Sequence, residues 1–539
     1  MANNMQNTNF NLASCLEFAG KYHGRQKVVT RLVENDEIHE TTYSEILLRS
    51  RKFANALKGL GVEFGDRIGT IALNTYRHLE AWYAISGQGL VCHTINPRLS
   101  PTQLIYIINH AEDQYILIDP IFWPIVENMH QHFPKVKGYI VLTEEAYMPK
   151  TDVANVYCYE TLLEGQSDQF EWPEFDENSG SSLCYTSGTT GNPKGVMYTH
   201  KSNLLHSYAG GLSDAIGMTA RDTVLVVVPL FHANSWGIAY LGPMTGATLL
   251  FPGKAMDGAS TFELIDKYEV TLAAGVPTVW TNLLDYADNV GKKMESVKEV
   301  IVGGSAAPMS MLKAFRDKHD IDLLHAWGMT EMSPLGTLNR PTPPISAMPK
   351  DQQLQYRIKQ GRPVFGVDMK VVDENGVELP RDGKSVGHLL VKGNWVVDTY
   401  YLAEETALDE KGWFDTGDMA NIDEYGYMEL VDRSKDLIKS GGEWISSVDM
   451  ENTAMGHPEV LMAAAIAIPD EKWSERPLLI VVAKEGKNPS KESILEVLAT
   501  EFAKWQLPDD VVFVNEIPLT ATGKFSKLTL RKQFADYKG

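Results

Sequence analysis

The stretch Tyr185-Thr-Ser-Gly-Thr-Thr-Gly-Asn-Pro-Lys-Gly195 collects residue types that can wrap an oligophosphate. Gly188 and Gly191 let backbone N–H groups approach an anion closely. The hydroxyls of Thr186, Ser187, Thr189 and Thr190 add donors, and Lys194 adds a charge. This is not the Walker loop, because Gly188-Thr-Thr-Gly-Asn-Pro-Lys194 lacks the G-x-x-x-x-G-K-S/T spacing. ATP is the ligand the stretch suits. Further along stand Val302-Gly-Gly-Ser-Ala-Ala-Pro308, Trp327-Gly-Met-Thr-Glu331, Asp415-Thr-Gly-Asp418, Asp432-Arg-Ser-Lys-Asp436 and Pro518-Leu-Thr-Ala-Thr-Gly-Lys524. Each alone reads as a buried aromatic, a tight turn or a solvated charge. Together with the phosphate loop they read as one site.

The elements that must position these segments alternate strand and helix. Strands are expected at Ser182–Tyr185, Thr223–Val228, Val270–Ala274, Val297–Val302 and Asp322–Ala326, several ending in a polar or glycine-rich turn. Val224–Phe231 reads as one buried strand. Leu204, Leu205, Tyr208 and Leu212 mark the apolar face of a helix after the loop, and Pro277 and Pro308 mark first turns of two others. Asn96-Pro-Arg-Leu99 reads as a turn leading into an amphipathic helix. The fold class is α/β: parallel-rich sheets flanked by helices, with ligands at the carboxyl ends of the strands. Residues from about 340 to 432 read as a β-rich subdomain, and 433–436 as the boundary before a small α+β unit at 437–539. In that unit strands are expected at Met462–Ile468, Leu478–Ala483 and Val511–Val514, and helices at Lys491–Trp505 and the C-terminus.

The order and spacing of these segments over essentially the whole chain resemble the acyl-adenylate-forming superfamily, which includes acyl-CoA synthetases, luciferases and peptide-synthetase adenylation domains. The resemblance implies an N-terminal adenylating domain at 1–432, a hinge at Lys435 and a mobile C-terminal domain. It implies nucleotide contacts from the phosphate loop, from Ser305, Ala306 and Ala307, and from His325, Ala326, Trp327, Gly328, Met329 and Thr330. Trp327 would stack on adenine, Thr330 would touch the α-phosphate, and Glu331 with Thr186 would hold Mg²⁺. Asp418 would accept hydrogen bonds from both ribose hydroxyls, and Arg433 would meet ribose or phosphate. Lys524 would be the mobile catalytic lysine, bridging the attacking carboxylate and the phosphoryl oxygens, with Lys194 and Thr330 beside it. No general base is needed, since the acid is already ionised.

In the same resemblance Leu230-Phe-His-Ala-Asn-Ser-Trp236 borders the acyl group. It offers His232, Asn234 and Trp236 but no carboxylate for an ammonium, which disfavours an amino acid substrate. Trp236, Val276, Gly303, Gly304, Trp327 and Met329 describe an apolar cavity for a short or medium alkyl or thioether tail. His232 either gates this pocket or packs beside it. Coenzyme A would take the acyl group after the C-terminal domain pivots, bringing Lys439, Gly441, Gly442, Glu443 and Trp444 to a pantetheine tunnel. The chain looks most like medium-chain acyl-CoA synthetases, bacterial methylmercaptopropionate–CoA ligases above all, and a homodimer is the family habit. Three features depart from the usual pattern: Trp444 where asparagine is common, Ser447-Val-Asp-Met-Glu451 without its proline, and Trp473-Ser-Glu-Arg-Pro477. A luciferase-like oxidation and a non-catalytic nucleotide binder are the competing readings. The intact Lys194, Glu331, Asp418, Arg433 and Lys524 disfavour the second.

Composition sets outer bounds. The chain has 539 residues and a net charge of −21, which argues against non-specific binding to nucleic acid or anionic membranes. Four scattered cysteines with no C-x-x-C pair argue against a zinc or disulfide framework and suit a reducing cytoplasm. No secretory signal or membrane-length apolar run is expected. The fifteen residues after Lys524 leave little room for a carrier domain, so a diffusible thiol is the expected acceptor.

Overall fold

The computed structural model describes residues 5–6, 8–186, 192–440, 443–470, 472–520, 524–535 and 537. Among these residues the strands form four sheets. One runs Val156–Cys158, Gly138–Val141, Tyr115–Ile118, Arg67–Ile71, Val91–Thr94, Gly180–Tyr185 and Gly195–Thr199, parallel except at the last pair. That antiparallel last pair, at the sheet edge, flanks the phosphate loop in the chain. The second sheet contains nine strands, with Asp322–Gly328, Glu299–Val302, Leu272–Gly275, Thr223–Val226, Thr248–Phe251 and Lys27–Arg31 parallel and adjacent. Antiparallel strands finish both edges: Leu335–Leu338 with Arg362–Pro363, and Ile38–Thr42.

The parallel α/β reading therefore holds, and its strand ends carry the motifs. Helix signals act as expected at Pro101–Ala111, which Ser100 caps by accepting from Gln103 N, and at Pro277–Val290, where proline opens the first turn. Pro308 instead sits just before its helix, in extended backbone as the N-cap of Met309–Ala314. Val224–Phe231 is not one strand: regular pairing stops at Val226 and the chain turns toward the site. The helix after the phosphate loop, His200–Gly210, buries a largely polar face of His200, Asn203, His206 and Ser207. Tyr208 and Leu212 are exposed, and Leu212 lies beyond the helix. Its apolar periodicity misleads because this face bonds to the neighbouring sheet instead of filling it.

A four-stranded antiparallel sheet covers Val367–Val372, Gly387–Gly393, Phe414–Ile422 and Met428–Arg433. The chain then crosses to a last sheet built on the long hairpin Val460–Asp470 and Ser474–Ala483, with Asp510–Phe513 parallel to it. The helix there covers Lys491–Leu498 and not residues to 505; Thr500 N bonds to Val497 O, tightening and ending the turn. No described helix is long and apolar enough to cross a membrane.

Candidate active site

One cleft of about 410 Å³ gathers most of the chemistry-bearing residues. Thr186 and Lys194 enter from the hairpin, and His232 and Trp236 from the segment after Thr223–Val226. Gly303 and Gly304 follow Glu299–Val302, and Ala326 to Glu331 extend from the strand Asp322–Gly328. Arg433 and Lys435 line it from the end of the Met428–Arg433 strand, and Lys524 reaches it from near the C-terminus. The chain has thus folded its last hundred residues back over the strand ends.

The lysine is held locally. Lys524 N donates to Thr520 Oγ1 at 3.1 Å, and Thr520 N donates to Lys524 O at 2.6 Å. Burial pulls its ammonium down to about 8, Arg433 pushes in the same direction, and Asp418 and Glu331 oppose both. The ammonium still predominates at neutral pH. Burial, then Lys524, draws His232 down to about 4, so its imidazole is neutral.

Asp418 lies buried behind Arg433 and Trp327, which line the cleft. Its Oδ2 accepts from Trp327 Nε1 at 2.9 Å and its Oδ1 lies 2.7 Å from Arg433 Nε. Burial raises this carboxyl despite the guanidinium. Oδ1 is buried against the Arg433 guanidinium, and Asp418 itself is not among the residues that line the cleft. One face of Trp327 lies on Gly336, where a Cβ would come within 2.5 Å of Cζ3; glycine is needed for the indole to sit there.

At the phosphate end, Tyr400 OH donates to Glu331 Oε1 at 2.9 Å, and Lys194 Nζ lies 4.6 Å from the Tyr400 ring centroid. Tyr400 organises both charges, and nothing in the sequence motifs pointed to it. Thr186 Oγ1 accepts from Lys194 N, closing the base of the hairpin. A hydroxyl and a carboxylate in one cleft fit Mg²⁺, which keeps waters and substrate phosphates as its other ligands. Among the described residues no cluster of three or more His, Cys, Asp or Glu could hold a metal by itself.

The acyl side is built from strained backbone. Ala233, Asn234, Ser235, Trp236 and Gly237 all have positive φ, between 43° and 81°. Each non-glycine residue in that region costs roughly 1–2 kcal/mol. Buried bonds hold the turn: Asn234 Nδ2 to Asn203 Oδ1 at 3.0 Å, and Ser235 Oγ to Val228 O at 2.8 Å. Asn203 in turn donates to the hydroxyls of Ser181 and Ser182. The result presses Trp236 onto Gly303, where a Cβ would lie 2.8 Å from Cη2.

Several expected residues lie outside the lining. Val276 touches the position of Gly304 from behind, 3.3 Å from a Cβ built there, and is not a wall of the cleft. Ser305, Ala306 and Ala307 border the region without lining it, and His325 turns its Nδ1 to Ile358 O at 2.8 Å. Lys439 and Trp444 pair across a separate hairpin, Ile438–Ser440 with Glu443–Ile445, away from the cleft. Ser187, Gly188, Thr189, Thr190, Gly191, Gly441 and Gly442 lie outside the described residues. Of the departures from pattern, Arg476 has a clear structural use: it bonds Asp509, Ser440 Oγ and the carbonyls of Trp505 and Leu507.

The cleft, the hairpin loop and the returning lysine are those of adenylate-forming enzymes. The chain belongs to the AMP-binding enzyme family, whose model matches residues 16–401, with the AMP-binding enzyme C-terminal domain matching 449–524. It is 48% identical over 97% of both chains to a 3-methylmercaptopropionyl-CoA ligase of Ruegeria lacuscaerulensis. It is 45% identical to a medium-chain-fatty-acid–CoA ligase of Ectopseudomonas oleovorans, over 99% of this chain and 98% of that one. The anthranilate CoA ligase AuaEII, solved with anthranoyl-AMP, superposes with a TM-score of 0.87 at 26% identity, over 98% of each chain.

Proposed function

We propose that this enzyme activates a short or medium-chain apolar carboxylic acid, with 3-methylmercaptopropionate the preferred one. It is an AMP-forming acid–CoA ligase working in two steps. First a carboxylate oxygen attacks the α-phosphorus of ATP, and the bond to the bridging oxygen breaks with its electron pair leaving on pyrophosphate. Then the CoA sulfur attacks the acyl carbon and AMP leaves with the carbon–oxygen electron pair, the thiol proton passing to solvent.

The observation that carries this reading is the position of Lys524, half-buried in the same cleft as Lys194, Glu331 and Arg433. Its charge screens the approach of one anion to another and stabilises the charge that builds on the phosphoryl oxygens. Asp418 fixes Arg433 and Trp327 at once, so base, ribose and phosphate are oriented by a single buried carboxylate. Mg²⁺, held by Glu331 and Thr186, would supply neutralisation of the pyrophosphate charge. The neutral His232 leaves a carboxylate unpaired on its side and free to attack.

The tail of the acid faces Trp236, Gly303, Ile301 and Leu338. The two acidic residues among the described lining are engaged: Glu331 by Tyr400, and Asp436 by Arg531 at 2.8 Å. Among the described lining residues no carboxylate is left without a partner for an ammonium, so amino acids fit badly. A thioether beside Trp236 gains a sulfur–aromatic contact worth about 0.3–1.5 kcal/mol. The 3-methylmercaptopropionyl-CoA and medium-chain-fatty-acid–CoA ligases named above, at 48% and 45% identity, support the same range of acids.

For the second step, the segment 433–436 serves as hinge, withdrawing Lys524 and turning Lys439, Gly441, Gly442, Glu443 and Trp444 toward CoA. The same reading carries a cytoplasmic homodimer, on the family resemblance. Acid-dependent ATP–pyrophosphate exchange without CoA, followed by thioester formation only once CoA is added, is the expected outcome. Exchange that requires CoA would contradict the two-step order.

A further inference from the structure

The apolar lining of the cleft includes a residue that belongs to none of the motifs. Ile216 lines it, fully buried, together with Ile301, Leu335 and Leu338. Those three come from the sheet, but Ile216 comes from the loop after the helix His200–Gly210. A loop side chain could be pushed aside by a longer tail. This one cannot, because Arg340 clamps its backbone. Arg340 Nε donates to Ala215 O at 2.7 Å and Nη2 to Ile216 O at 3.0 Å. The same guanidinium holds Glu299 with two further bonds of 2.6 and 2.9 Å. Glu299 opens the strand that carries Ile301, and Arg340 follows the strand that carries Leu338. One side chain therefore ties the loop to both sheet strands whose residues Ile216 faces. Gly217, at φ +66°, completes the turn and bonds back to Gly210 O.

Behind Ile216 lies the helix His200–Gly210, at its glycine end. A Cβ built on Gly210 would lie 3.9 Å from Ile216 Cδ1 and 3.4 Å from Leu241 Cδ1. Shortening Ile216 opens the cleft back to the helix, and a side chain at Gly210 can refill that space.

We propose that Ile216 sets the longest acyl tail the enzyme accepts, with Arg340 as the positioning residue that makes this floor rigid. The inference rests on the ligase reading and deepens it: the substrate class is bounded by a fixed stop, not by a pliable pocket.

The experiment is a ladder of straight-chain acids from butyrate to dodecanoate, measured as kcat/KM for pyrophosphate release with ATP, Mg²⁺ and CoA. Melting curves confirm that each variant is folded. For Ile216→Ala the optimum moves about two carbons longer, and the octanoate-to-butyrate ratio rises about tenfold or more. Ile216→Phe moves the optimum the other way. Adding Gly210→Leu to Ile216→Ala restores the shorter limit. Arg340→Lys keeps the cation but loses the fork, so KM for long acids falls while KM for ATP holds. An unmoved ladder in folded, active Ile216→Ala and Ile216→Phe overturns the proposal and leaves the ligase reading standing. Silence of the unaltered enzyme on every acid overturns both.

Discussion

The depressed ammonium of Lys524 predicts a particular pH profile. Its ordinary value of 10.5 falls to about 8, chiefly through burial, with Arg433 adding to the effect. A lysine shifted downward loses its charge as pH rises through the lowered value. The ammonium is about nine-tenths populated at pH 7 and about one-tenth at pH 9. If adenylation requires that cation, kcat/KM for ATP, which reports the free enzyme, falls about tenfold over this interval. An unshifted lysine would give a flat profile there. The assay is acid-dependent ATP–pyrophosphate exchange from pH 6 to 9.5 at constant ionic strength, because bound ATP would itself favour the charged form. Lys524→Ala lowers adenylation by roughly a hundred- to a thousandfold, about 3–4 kcal/mol, and removes the alkaline limb. Lys524→Arg, whose charge does not titrate in this range, also flattens the limb. Thioester formation from supplied acyl-adenylate and CoA is spared in both variants. The same limb surviving in Lys524→Ala would assign it to another group and refute the argument.

Two other outcomes follow from the geometry. Lys435→Pro stiffens the proposed hinge, so adenylation continues while CoA-thioester turnover drops at least tenfold in stopped-flow partial reactions; undiminished thioester turnover would contradict the pivot. Asn203→Ala strands the Asn234 amide beneath the left-handed turn, an unsatisfied buried group worth about 1–3 kcal/mol. Denaturant titration should register that loss, and KM for the acid should rise as Trp236 loosens on Gly303, whereas a stability loss with an unchanged acid KM would show that the turn does not set the pocket.

What could be read from the sequence was local chemistry. The phosphate loop was legible from its own composition, whereas the strand-end segments and the Lys524 segment were legible only through their order and spacing beside it. The parallel sheets followed from alternating strand and helix signals. Other parts depend on contacts that no window of sequence displays. The turn at Ala233–Trp236 is left-handed without a glycine until Gly237, and its buried side chains are held by the distant Asn203 and by the carbonyl of Val228. The helix His200–Gly210 turns polar residues inward because their partners are Ser181, Ser182 and Leu335, on separate strands. Tyr400 meets Glu331 and Lys194 across long separations, and Arg340 meets Ile216 across 124 positions. Val276 is expected in the apolar cavity, yet it is not among the lining residues and its Cγ1 lies against Gly304.

The most direct test of the central claim is pyrophosphate release with ATP, Mg²⁺ and CoA across a panel of acids, scored by kcat/KM. The panel includes acetate, pentanoate, 3-methylmercaptopropionate, octanoate, decanoate, benzoate and leucine. Pentanoate and 3-methylmercaptopropionate differ by one methylene against one sulfur, so their ratio isolates the contact with Trp236. The account predicts a maximum at 3-methylmercaptopropionate, about two- to tenfold above pentanoate, with leucine inactive. A maximum at benzoate or leucine, or no release with any acid while ATP still binds, would contradict it.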